Sequence, residues 1–158
     1  MINDLVIRRV TEADSHRVSS MLLGQRQDYL KHFHPFPFDE VTLFSNFSAA
    51  KTDRYWMINL GNSFAGFFML RGLDAGYETP SFGVVIAENY CGFGLSALSL
   101  NYSISWCAAN RIRKIMLKVH PDNLKAKKIY EGFGFIQSGV DSHNSNIIMH
   151  RNLLERSR

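Results

Sequence analysis

Residues 55–70, YWMINLGNSFAGFFML, constrain the middle of the chain more than any other stretch. Tyr55 to Leu60 reads as a strand, Gly61-Asn62 as a tight turn, and Phe64 to Leu70 as the returning strand. An isolated two-stranded hairpin is marginal in water, so neighbouring segments must extend and cover it. The next candidate is Ser81 to Ala87, reached through the turn RGLDAGYETP. It is a nearly unbroken apolar run, the pattern of a strand buried on both faces.

Upstream, Leu5 to Val10 reads as a first strand. Thr11 caps a helix from Glu12, with Asp14 completing a near capping box. Val18, Met21 and Leu22 form that helix's apolar stripe. Pro35 and Pro37 forbid a continuous helix through QDYLKHFHPFPFDE, residues 27–40, so this is a loop dense in aromatics and histidines. A second short helix begins near Asp39, with Val41, Leu43, Phe44 and Phe47 as its apolar residues. Downstream, Leu95 to Ala109 has helical spacing through Ala97, Leu100, Ile104, Cys107 and Ala108. Ile112 to His120 alternates like a strand. Ile115, Leu117 and Val119 share one face, and Met116, Lys118 and His120 share the other. Leu124 to Glu131 is a short helix with Gly132 in the C-cap role. Residues 133–136 and 147–149 supply closing strands.

The order β-α-α-β-β-β-α-β-α-β-β predicts an α/β or α+β fold with a mixed sheet rather than a doubly wound parallel one. The 158 residues contain no repeat, linker or low-complexity tract, so residues 1–158 read as a single domain. Hydrophobic residues at 46% against 20% charged exclude a disordered chain. Lys and Arg exceed Asp and Glu by 18 − 14 = 4, a mild excess that suits an anionic ligand such as a coenzyme. The cluster RIRK at 111–114 is too short to argue for nucleic acid, and exposed aromatics do not interleave with it. Cys91 and Cys107 make neither a CxxC pair nor a zinc spacing, so no metal is expected and both read as reduced thiols. The N-terminus MINDLVIRR lacks a signal-peptide core, and no apolar run approaches a membrane span. The expectation is a cytoplasmic protein without membrane partners.

Cys91-Gly92-Phe93-Gly94-Leu95-Ser96 joins the buried strand to the long helix. Two readings stand. The first is a connection that merely needs small residues. The second is an anion site, because glycines let the backbone approach a ligand and the first helical N–H groups point outward with the dipole's positive end. It is neither a full Rossmann fingerprint nor a Walker loop, since Ala97 stands three residues after Gly94 and no Gly-Lys-Ser/Thr follows.

One strand later comes LKVHPDNLKAKKIYEGFGF. Asn123, Ala126, Tyr130 and Gly134-Phe135 match the Asn-x-x-Ala, Tyr, Gly-Phe signature of the GNAT acyl-CoA N-acyltransferases. Asn89-Tyr90-Cys91-Gly92-Phe93-Gly94 stands where that family has Gln/Arg-x-x-Gly-x-Gly/Ala, with Asn89 in place of Gln or Arg. The chain thus resembles the GNAT superfamily, in motifs over roughly 81–136 and in element order over nearly its whole length. The resemblance implies a mixed, mostly antiparallel central sheet flanked by helices. It implies acetyl-CoA as acyl donor, bound where the fourth and fifth strands splay apart. The backbone of Cys91 to Ser96 would hold the pyrophosphate, that of Val84, Val85 and Ile86 the pantetheine arm, and Asn89 and Asn123 would add polar contacts. Asn123 equally suits helix N-capping.

The resemblance further implies direct acetyl transfer, with Tyr130 as general acid toward the leaving thiolate. A backbone N–H near Ile86 would face the developing oxyanion. Where some members carry a fifth-strand Glu, this chain has Lys118, so Glu78 becomes the nearest carboxylate candidate for the base, or else a solvated turn charge. His120 is a possible proton relay on the same face as Lys118, or an exposed imidazole. His32, Phe33, His34 and Phe36 would wall an acceptor pocket suited to a small amine such as an amino sugar or sugar nucleotide, or would plug the loop onto the core. The lack of an acidic cluster argues against polyamines, and the lost Glu against ribosomal-protein substrates. A peptide N-terminal acetyltransferase and a non-catalytic acyl-CoA-binding domain are the alternatives, and a homodimer is a further expectation of the resemblance.

Overall fold

A computed structural model describes residues 1–153. Its elements are β1 (Leu5–Arg9), α1 (Ser15–Leu23), α2 (Glu40–Ala49), β2 (Arg54–Leu60), β3 (Ser63–Arg71), β4 (Ser81–Ile86), α3 (Leu95–Ala109), β5 (Lys114–Val119), α4 (Leu124–Gly132), β6 (Ile136–Val140) and β7 (Ile147–Asn152). The seven strands form one mixed sheet in the order β1-β2-β3-β4-β5-β7-β6, flanked by four helices. The element order read from the periodicities is the one observed. The chain falls into two compact units. The first holds Met1–Met69 and Val84–Ser96, and the second holds Leu70–Gly83 and the chain from Ala97 onward.

In the first unit β1 pairs antiparallel with β2, from Leu5↔Leu60 to Arg9↔Trp56. The Thr11 N–H donates to Asp14 Oδ2 at 2.9 Å, the expected half of a capping box. Arg8 grips the same carboxylate with both terminal nitrogens, at 3.0 and 2.6 Å, and holds it below the usual carboxylate range. Glu12–Asp14 form a 3-10 turn, so α1 itself begins at Ser15. Asp39 caps α2 by accepting the Thr42 N–H at 2.9 Å.

Val18 and Leu22 from α1, and Leu43 and Phe47 from α2, enter a core with Val10, Tyr55, Met57, Phe67 and Met69. The Tyr55 ring lies 4.9 Å from Phe47 and stacks on Phe67 at 6.1 Å. Val41 and Phe44, the other two apolar residues named for this helix, are 79% and 52% exposed. At 3.6 residues per turn they sit about 200° and 100° around from Leu43, whereas Phe47 returns to its face.

In the second unit β4 pairs parallel with β5 at Ser81↔Met116 and Phe82↔Leu117. β5 pairs antiparallel with β7 from Lys114↔Asn152 to Val119↔Ile147, and β7 with β6 across a register shift between Gln137 and Gly139. Ile115, Leu117 and Val119 are buried, as the alternation predicted, alongside Leu100, Ile104 and Cys107 of α3. β4 is less uniformly buried than its composition suggested: Phe82, Val85 and Ile86 are buried, but Ser81, Gly83 and Val84 are partly exposed.

α4 ends differently from the expectation. Gly132 is its last helical residue, and the left-handed glycine is Gly134, with φ +85°. The Gly134 N–H bonds Glu131 O at 2.9 Å and the Phe135 N–H bonds Tyr130 O at 3.1 Å, which is a Schellman terminator. Residues 133–135 are spent on that terminator, so β6 begins at Ile136 rather than Phe133. Among the described residues no helix is long and apolar enough to cross a membrane.

Candidate active site

The first unit carries the glycine loop. β4 ends at Ile86, and the Ala87 N–H closes onto Ala65 O at 2.8 Å. A 3-10 turn over Glu88–Tyr90 follows, closed by the Cys91 N–H on Glu88 O at 3.2 Å. Gly92 and Gly94 then take φ of +89° and +77°, a conformation that any other residue adopts only under strain. A Cβ built on either glycine meets no atom within 4 Å, so open space rather than crowding lies against the loop. Leu95 turns inward and is buried, while Cys91, Gly92, Phe93 and Gly94 are exposed at the start of α3. The helix dipole adds partial positive charge at this end. Such a surface can hold an anion on backbone groups alone.

Three ties fasten this loop to the segment after α1. The Tyr29 hydroxyl donates to Ile86 O at 2.5 Å and lies 2.8 Å from Cys91 Sγ. The Gln25 side-chain carbonyl accepts the Glu88 N–H at 2.9 Å, and Arg26 forms a short two-pronged ion pair with Glu88. Burial, with the Cys91 contact adding to it, pushes the Tyr29 phenol well above its ordinary value. Further along, Phe33 stacks on Phe38 at 6.0 Å, and Phe36 meets Phe38 and Tyr55 edge-on at 6.2 and 6.4 Å. These rings pin the loop to the core. His32 and His34 stay exposed, and the His34 Nε2–H donates to Lys31 O at 2.7 Å. The aromatic half of the proposed pocket wall therefore packs inward and the histidine half faces outward.

In the second unit, Tyr130 sits on α4 with its ring 6.2 Å from that of Phe135. The Schellman terminator around Gly134 is what brings Phe135 back against Tyr130. Tyr130 is partly buried, its hydroxyl has no hydrogen-bond partner among the described residues, and desolvation pushes the phenol up to about 12. Asn123 caps α4, its Oδ1 accepting the Ala126 N–H at 3.2 Å, which leaves its NH2 group outward on an exposed residue. Lys118 donates to Asp141 Oδ2 at 2.7 Å and holds that carboxyl below the usual range. The His120 Nδ1 accepts the Asp122 N–H at 3.1 Å. Glu78 is exposed in the 72–80 turn.

Residues 21–135 match the sequence model of the acetyltransferase (GNAT) family. The chain belongs to the GNAT family. No curated protein matches it by sequence. Solved structures share the GNAT fold at low identity. A domain from Methanocaldococcus jannaschii is 19% identical with a TM-score of 0.78, over 96% of this chain and 99% of that one. Ribosomal-protein-S5-alanine acetyltransferase from Vibrio fischeri is 15% identical with a TM-score of 0.78, over 97% and 95%. Spermidine N-acetyltransferase from Vibrio cholerae, in complex with CoA and spermine, is 18% identical with a TM-score of 0.74, over 94% and 95%.

Within this GNAT chain, two features escaped the sequence reading. Tyr29 stood only as one aromatic of the 27–40 loop, and Asp141 was not singled out. Their partners lie 57 and 23 residues away in sequence, and only a fold brings them together. Asn89 is exposed in the turn before the glycines, whereas the side chains held there are those of Glu88 and Cys91.

Proposed function

We propose that the chain is an acetyl-CoA-dependent N-acetyltransferase acting on a primary amine of a small molecule, an amino sugar or sugar nucleotide being the class its loop suits. The observation that carries this is the pair of left-handed glycines, Gly92 and Gly94, facing open space at the start of α3. Side chains there would obstruct a diphosphate, and backbone N–H groups are the natural donors to it. The backbone of Cys91 to Ser96 takes the pyrophosphate. Val84, Val85 and Ile86 offer main-chain groups to the pantetheine arm, and the Asn123 NH2 offers a further donor. Bound acetyl-CoA supplies an activated thioester.

The neutral amine nitrogen attacks the thioester carbonyl, the N–C bond forms, the C–S bond breaks, and the departing thiolate takes up from solvent a proton that balances the one the nitrogen loses. Tyr130 hydrogen-bonds the thiolate's charge. A thiol's ordinary value near 8.5 lies below a phenol raised to about 12, so outright proton donation is uphill. The phenol therefore acts mainly by stabilising charge as it develops, which is worth about 100-fold. Lys118 is engaged by Asp141 and is assigned no role as base in this reading. Glu78 remains the carboxylate candidate, with the amine's proton otherwise leaving through water. Exposed His32 and His34 offer hydrogen bonds to a polar acceptor, with Phe33 and Phe36 as their backing.

The Lys118–Asp141 pair also favours a second reading, a non-catalytic acyl-CoA-binding domain, because no carboxylate is free at that position of β5. One screen separates the two. Amino sugars, sugar nucleotides, amino acids, polyamines and peptides are incubated with acetyl-CoA, and released thiol is measured. The enzyme reading expects thiol release above hydrolysis with at least one amino sugar or sugar nucleotide. Coenzyme binding without release for any acceptor sinks it and leaves the binding domain.

A further inference from the structure

We propose that Tyr29 is a positioning residue for the coenzyme loop, fixing the end of β4 and the 88–91 turn in the form that receives acetyl-CoA. The inference rests on the coenzyme-binding reading of Gly92 and Gly94. A tyrosine hydroxyl has a single proton. Tyr29 gives it to Ile86 O at 2.5 Å, so the Cys91 thiol, 2.8 Å away, donates its own proton to the phenol oxygen. One side chain thus ties the last residue of β4 to the residue that opens the glycine loop. Both of those residues belong to the stretch assigned to the coenzyme, Ile86 at the pantetheine end and Cys91 at the pyrophosphate end.

The anchor is itself held. The Tyr29 and Leu30 N–H groups both bond to Arg26 O, at 3.1 and 3.4 Å, and Leu30 is buried in the first unit's core. The other two ties, Gln25 to the Glu88 N–H and Arg26 to the Glu88 carboxylate, grip the turn between Ile86 and Cys91. Arg26 is 67% exposed, so its ion pair contributes little. The half-buried phenol, bonded at both ends of the turn, is the stronger constraint. A turn left loose would have to be ordered on binding, and that cost appears as lost affinity. Because the segment bearing Tyr29 runs directly into the loop with His32 and His34, the same tie links coenzyme loop and acceptor loop along one short stretch of chain.

Tyr29→Phe removes the hydroxyl and keeps the ring, while the Gln25 and Arg26 ties remain. Two measurements read the result in the full chain: calorimetric titration with acetyl-CoA, and iodoacetamide alkylation of Cys91. Cys107 is buried, with its thiol pushed up to about 12, so it stays silent. The variant is expected to bind acetyl-CoA about tenfold more weakly and to alkylate at Cys91 at least threefold faster, with a melting temperature close to the parent's. A merely structural Tyr29 would lower the melting temperature and leave the affinity alone. Affinity within twofold of the parent overturns the assignment of Tyr29 by itself. A parent chain that does not bind acetyl-CoA overturns the function, and this inference with it.

Discussion

Gly92→Val and Gly94→Val are each expected to weaken acetyl-CoA binding by at least 100-fold while leaving the fold intact. Both positions hold φ in the left-handed region, at +89° and +77°. A β-branched residue there costs about 1–3 kcal/mol, and the backbone relieves the strain by turning to negative φ. That rotation swings neighbouring N–H groups away from the pyrophosphate. Hydrogen bonds to a charged group are worth about 1.5–3 kcal/mol each, so losing two gives the stated factor or more. The fold survives because an added Cβ meets nothing within 4 Å at either site. At about 2–4 °C per kcal/mol for a chain of this size, the melting temperature falls by no more than about 12 °C. Calorimetric titration reads the affinity and thermal unfolding reads the fold. Two variants that both bind within tenfold of the parent would return the loop to a plain turn.

Tyr130→Phe is expected to lower kcat about 100-fold and to change coenzyme affinity less than threefold. The substitution keeps the ring that meets Phe135 at the α4 terminator, so structure is preserved and only the hydroxyl is lost. The pH dependence follows from the raised phenol. Burial favours the neutral form, so the group stays protonated through neutral and mildly alkaline pH, and the alkaline fall in kcat that belongs to it lies above pH 10, toward about 12. Linkage has the same sign: the stability gained from burying the neutral phenol is complete below its unfolded value near 10 and is lost as pH rises toward 12. Steady-state rates from pH 6 to 10 check the first point, and thermal unfolding followed through the alkaline range checks the second. A variant with unchanged kcat, or a parent whose phenol-dependent limb falls near pH 8, removes Tyr130 from the chemistry.

Features written in short-range pattern were legible before the fold was known. The hairpin of β2 and β3 showed in its two apolar runs and its Gly61-Asn62 turn, and α3 in its three- and four-residue spacing. The glycine loop was legible as a place but not as a conformation, because either a turn or a site needs glycine there. Errors came where a local rule had two solutions. Gly132 and Gly134 both suit a helix end, and the bonds of Gly134 and Phe135 back to Glu131 and Tyr130 decide for Gly134. On α2 four apolar residues were named without a face, and Val41 and Phe44 turn away from Leu43 and Phe47.

What could not be read were pairings between distant residues. Tyr29 reaches Ile86 and Cys91, and Lys118 reaches Asp141, with no periodicity or motif linking them. These are the contacts that bear on how the site works. The first ties the end of β4 and the start of the glycine loop to the segment after α1. The second engages Lys118, which stands where some family members carry a Glu.

The most direct test of the account is a calorimetric titration of acetyl-CoA into the unmodified chain. The account predicts saturable one-to-one binding with Kd between about 1 μM and 1 mM, the usual range for such substrates. A flat titration at millimolar acetyl-CoA, with the chain folded, would contradict it.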